Sequence, residues 1–67
     1  MNNVDNPSHY TSEKGIKAID VIEAFDLKFN LGNAIKYVLR SGKKGNEVED
    51  LRKAIWYLER QIKNIEG

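Results

Sequence analysis

The chain has 67 residues, no cysteine and a single histidine, His9, so it is one domain near the lower size limit for folding alone, without disulfides or a histidine-built metal site to hold it. Its formal net charge of +1 argues against a general polyanion binder of the kind that coats long DNA. No apolar run is long enough to span a membrane, and the N-terminus "MNNVDNPSHY" lacks the apolar core of a signal peptide. Two routes to stability remain, very efficient helix packing or self-association, and self-association is the expectation.

Taken in chain order, residues 1–15 are polar and turn-rich, an irregular but docked segment carrying Asn6-Pro7-Ser8 and Gly15. Ile16 to Phe25 then reads as a short helix with Ile19, Ile22 and Phe25 on one stripe and Val21 widening it. Asp26 to Asn30 is a connector, and Asn30 is the predicted cap of a second helix from Leu31 to about Ser41, stopped by Gly42. On that helix Leu31, Ala34, Ile35, Val38 and Leu39 share one arc, while Asn33, Lys36, Tyr37, Arg40 and Lys44 share the opposite one. Asn46 is the predicted cap of a third helix, 47–65, with Glu49 completing a near capping box. Along it Val48, Leu51, Ile55, Leu58, Ile62 and Ile65 form an unbroken seam at alternating three- and four-residue spacing, suited to a helical partner. Trp56 and Tyr57 lie off this seam, on different flanks. The fold class expected is therefore all-α: a small three-helix domain with an ordered N-terminal segment, packed into a helical homo-oligomer.

Charge is unevenly spread. Between Leu27 and Asn46 stand Lys28, Lys36, Arg40, Lys43 and Lys44 with no acid, whereas the rest of the chain carries six cations and ten acids. That asymmetry creates a local positive field on a nearly neutral protein, which suits a small anionic ligand. Lys36 and Arg40 are four residues apart on a helix, so their charged heads repel each other, with Asn33 and Tyr37 beside them as donors. An anion would relieve the repulsion; a solvated face favoured by the helix dipole is the plainer reading. Gly42-Lys43-Lys44-Gly45 could let a backbone approach a phosphate, or could be only a helix stop, a turn and a helix start. It is not a Walker A loop. Asp50, Lys53 and Tyr57 share one face of the third helix, opposite the seam, where Asp50 could orient a lysine, bind Mg²⁺ or accept a ribose hydroxyl. The plainer reading is a surface Asp–Lys pair worth a few tenths of a kcal/mol. His9, beside Tyr10, could serve as an acid or a base, could hydrogen-bond a phosphate or a base edge, or could be structural.

Three blocks, "NPSHY" (6–10), "FNLGNAIKYVLRSGKKG" (29–45) and "DLRKAIWYLER" (50–60), resemble in sequence and order the small bacteriophage family DUF3310, also called the SaV-like or phage nucleotide-kinase-like domain. The resemblance implies an all-helical phage protein and points to His9, Tyr10, Asn33, Lys36, Tyr37, Arg40, Lys43, Lys44, Asp50, Lys53 and Tyr57 as ligand-binding residues. It favours a nucleotide or nucleotide-derived small molecule as partner, in the cytoplasm of the host bacterium. The expected function is nucleotide binding by an oligomer, in its concrete form the sequestration of a nucleotide signal used by bacterial antiviral immunity. Lys36, Arg40 and Lys43 or Lys44 would then hold phosphates, Asn33 and Asp50 base or ribose, and Tyr37, Tyr57 or Tyr10 would stack. No cofactor is required for that. The alternative is a nucleoside monophosphate kinase with its site between subunits, needing ATP and Mg²⁺ with Asp50 as metal residue. A weaker alternative is a helical adaptor that binds a host protein through the seam.

Overall fold

A computed structural model describes residues 11–43 and 45–67. Three helices follow one another: α1 Ala18–Ala24, α2 Phe29–Arg40 and α3 Glu47–Glu66. Among the described residues the one pairing of extended backbone is an isolated bridge between Thr11 and Lys17. The all-helical expectation holds for this part of the chain; residues 1–10 of the expected docked segment lie outside it.

The helix ends differ from the sequence reading for local reasons. A tight turn closed by Gly15 at φ +86° brings the Ser12 N–H onto the Ile16 carbonyl at 2.8 Å, and the Ile16 N–H onto Ser12 Oγ at 3.0 Å. Ile16 and Lys17 are thereby held in the turn, and α1 starts at Ala18 rather than Ile16. The Lys17 N–H, at the helix boundary, donates to Asp20 Oδ2 at 2.9 Å. α2 starts before the expected cap: Lys28 is its N-cap and Asn30 is already helical. The Asn30 side chain instead donates through Nδ2 to Gln61 Oε1 on α3, at 3.3 Å. The far end of α2 is as anticipated, with Ser41 as cap and Gly42 at φ +78°, a left-handed position that suits glycine. So is the start of α3, where Asn46 Oδ1 accepts from the Glu49 N–H at 3.0 Å. Asn46→Ala removes that acceptor and should lower stability by about 1 kcal/mol. A thermal melt followed by circular dichroism reads the loss, and an unchanged midpoint would mean that water caps the helix equally well.

α2 lies in the middle. α1 packs on one side of it and α3 on the other, and α1 and α3 do not touch. Small residues make both contacts close. A Cβ on Gly32 would stand 3.2 Å from Ile22 Cγ2 of α1, so the bare backbone is what admits that side chain. Ala34 on α2 and Ala54 on α3 are buried, and the two helices run antiparallel. Asn30 meets Gln61 at one end of the pair, and Arg40 meets Asp50 at the other.

α3 therefore faces α2 with Asp50, Ala54, Tyr57 and Gln61, and its apolar seam lies to one side of that contact, with Leu51 and Leu58 partly buried and Val48, Ile55, Ile62 and Ile65 more exposed. The seam residues lie roughly 20–120° round α3 from the Ala54 contact line, and Val38, Leu31 and Ile35 lie on the same rotational side of the Ala34 line of α2. In an antiparallel pair, equal rotation brings both sets to the same side of the layer. One face of the α2–α3 layer is thus apolar. The other carries Phe29, Asn33, Lys36, Tyr37 and Arg40 beside Lys53 and Tyr57.

Candidate functional site

The polar face is built around two stacked tyrosines. Tyr37 of α2 and Tyr57 of α3 lie with ring centroids 6.0 Å apart and an interplanar angle of 13°. Phe29 meets the Tyr57 ring edge-on at 6.0 Å, and Trp56 does so at 5.0 Å. Such contacts are each worth about 0.5–1.5 kcal/mol beyond the area they bury. They fix the tyrosines as a rigid platform.

Three cations converge on that platform. Lys36 Nζ lies 4.7 Å from the Tyr37 centroid, Lys53 Nζ 5.3 Å and Arg40 Cζ 5.9 Å. Lys36 and Arg40 come from one turn of α2, while Lys53 crosses from α3, one turn after Asp50. The aromatic ring attracts each cation through its quadrupole, which offsets part of their mutual repulsion.

One acid enters the cluster. Asp50 is 1% exposed, and its Oδ2 sits 3.4 Å from Arg40 Nε. The contact is an ion pair without hydrogen-bond geometry, and neither of these two buried atoms has another hydrogen-bond partner. Asp50 is thereby committed to Arg40, tying the end of α2 to the first turn of α3. With three positive side chains and one carboxylate, the cluster keeps an excess of two positive charges. The idea that Asp50 and Lys53 form an ordinary surface pair is corrected here, because packing against α2 buries the carboxylate.

Beside the platform, Tyr37, Lys53, Trp56 and Tyr57 line a shallow cleft of about 300 Å³. A second cleft, of about 360 Å³, opens across Lys36 and Asn33 towards Ile22, Leu27, Lys28 and Phe29. Asn33 lines this second cleft, but its Nδ2 is already given to the Phe29 carbonyl at 2.8 Å. Its carbonyl oxygen is the atom left for a ligand.

The glycine loop is arranged more as a helix junction than as a phosphate cradle. Gly42 and Gly45 both have positive φ, at +78° and +75°. A Cβ at Gly42 would meet the Glu47 carboxylate at 3.2 Å, so the chain's own acid covers that backbone. Lys43 is exposed in the loop, and Lys44 lies outside the described residues, as do His9 and Tyr10.

The structure thus brings together Lys36, Tyr37, Arg40, Asp50, Lys53 and Tyr57 from two helices, with Asn33 at the margin. It adds Phe29 and Trp56, which the residue-by-residue reading left out of the site. The signal for Trp56 was its place off the seam. Phe29 carried none, because it fell in the expected connector.

No curated protein and no solved structure matches the chain. A family profile described as "Protein of unknown function (DUF3310)" matches residues 4–59, which includes the whole α2–α3 cluster and stops short of the C-terminal end of α3. The chain belongs to the DUF3310 family.

Proposed function

We propose that this is a phage-encoded nucleotide-binding protein that works as a homo-oligomer in the cytoplasm of the host bacterium and sequesters a nucleotide signal of antiviral immunity. The observation that carries the reading is the convergence of Lys36, Arg40 and Lys53 on the Tyr37 ring, with an aromatic cleft opening next to them. A nucleotide joins an anionic phosphate to a flat base, and the face offers a partner for each. Lys36 and Lys53 hold phosphate, with the outer edge of the Arg40 guanidinium. A base stacks on Trp56 or on the tyrosine pair, a contact worth about 1–3 kcal/mol. Asp50 orients Arg40 and does not itself meet the ligand.

One observation favours the kinase reading. Lys36 lies between two clefts, and phosphoryl transfer needs two nucleotides in line. It also needs a carboxylate for Mg²⁺, and the acid of this cluster, Asp50, is buried against Arg40. Binding asks for neither a second substrate nor that group.

The fate of the ligand decides between them. Incubated with dTMP or dGMP and MgATP, the protein is expected to give no diphosphate in excess over its own concentration. Nucleotide released by heat should be chemically intact and stoichiometric with protein. Multiple turnovers, abolished by Lys36→Ala with the fold retained, would replace sequestration by catalysis.

A further inference from the structure

We infer that the exposed apolar face of α3 is the seat of a second copy of this chain, whose α3 runs antiparallel to the first and is held in register by reciprocal Arg52–Glu59 pairs. The inference deepens the oligomeric part of the proposed function and is independent of its nucleotide part.

Among the described residues no further helix covers the face. Val48, Leu51, Ile55, Leu58, Ile62 and Ile65 are 40% to 74% exposed, and α1 does not reach α3. So long an apolar stripe left in water marks an interaction surface. Its alternating three- and four-residue spacing is that of a helix which meets another helix side by side. Leu31, Ile35 and Val38 of α2 flank it on one side and extend the same apolar layer.

The charges at its other flank choose the occupant. Arg52 and Glu59, both exposed, lie one heptad apart on the edge of the seam that faces away from α2. Let the second copy lie antiparallel with Ile55 against the partner's Leu58. Leu51 then meets the partner's Ile62, and Val48 meets the partner's Ile65, so all six seam residues are matched. In that register Arg52 lies two residues, about 3 Å along the axis, from the level of the partner's Glu59, within reach of both long side chains, and Glu59 lies likewise from the partner's Arg52. A single two-fold axis satisfies both, as an isologous interface requires.

Parallel pairing does not. It sets Glu59 beside the partner's Ala54, which is buried against α2, and Arg52 beside the partner's Glu47. Glu47 is already folded over the Gly42 backbone. The antiparallel arrangement also leaves the tyrosine–lysine face of each copy turned outwards, because that face lies on the opposite side of the α2–α3 layer.

Sedimentation of the full chain and three charge variants tests the register. The parent should sediment as a dimer, or as a larger assembly of dimers, at micromolar concentration. Arg52→Glu and Glu59→Arg alone each create two like-charge contacts across the axis, and each should weaken self-association at least about fivefold. The double swap, Arg52→Glu with Glu59→Arg, should restore it to within about twofold of the parent. These positions are exposed in the subunit, so helical content by circular dichroism should not change. A monomeric parent would overturn the inference, whether the seam serves residues 1–10 of the chain or a host protein instead. So would a double swap that weakens association further, as a parallel or unrelated interface predicts. Nucleotide titration of the parent chain separates this outcome from failure of the binding reading, since association and binding are then read independently on one protein.

Discussion

Arg40→Ala is expected to lower the stability of the fold by about 3–5 kcal/mol, because it leaves the Asp50 carboxylate buried with its counter-ion removed. Asp50 is 1% exposed and its Oδ2 has the Arg40 Nε, at 3.4 Å, as its ion-pair partner. A domain of this size has only a few kcal/mol to lose, so most of the protein should unfold at room temperature. The same physics predicts a rescue. Arg40→Met combined with Asp50→Leu removes both charges and keeps apolar volume, and such replacements of buried pairs are often neutral or stabilising. Urea denaturation followed by circular dichroism measures both. If Arg40→Ala costs less than about 1 kcal/mol, the pair is an ordinary surface contact of the exposed kind and its structural role is wrong.

The three helices were readable because their punctuation is chemically explicit. Asn46 accepts from the Glu49 N–H, and Gly42 takes the left-handed conformation that ends α2, both as the sequence implied. The cluster was half readable. Lys36 and Arg40 had to share a helical face by spacing, and Asp50, Lys53 and Tyr57 had to share another. That these two faces meet was hidden, because the stripe that joins α3 to α2 contains one alanine, one acid, one tyrosine and one glutamine. Periodicity of apolar residues points instead to the seam from Val48 to Ile65, which stays exposed. Close approach through Ala34 and Ala54 decides the pairing, and small residues leave no mark in a hydrophobic pattern. Asn30 misled for a related reason. Its type suits a helix cap, but tertiary contact with Gln61 takes the side chain.

Ligand binding separates the remaining cations from this structural pair. Lys36→Ala and Lys53→Ala should each weaken nucleotide binding by about 1.5–3 kcal/mol, the range for hydrogen bonds assisted by charge. Neither lysine holds a buried acid, so the melting midpoint should stay close to that of the parent. Both lie within 5.3 Å of the Tyr37 centroid, and their removal leaves the stacked tyrosines in place. Loss of affinity without loss of fold is the signature of a ligand contact. Equal affinity in parent and variants would make the arc a solvated face stabilised by the helix dipole.

The most direct test of the nucleotide site is calorimetric titration of the purified full chain with ATP, GTP, dTMP, dGMP, cyclic di-AMP and cyclic di-GMP, repeated on the Lys36→Ala/Lys53→Ala double variant. At least one of these nucleotides should bind the parent with saturable, stoichiometric heat, and that heat should vanish in a double variant that remains folded. No binding of any member of the panel, or binding that survives the double substitution unchanged, would contradict the assignment of the Tyr37–Tyr57 face as a nucleotide site.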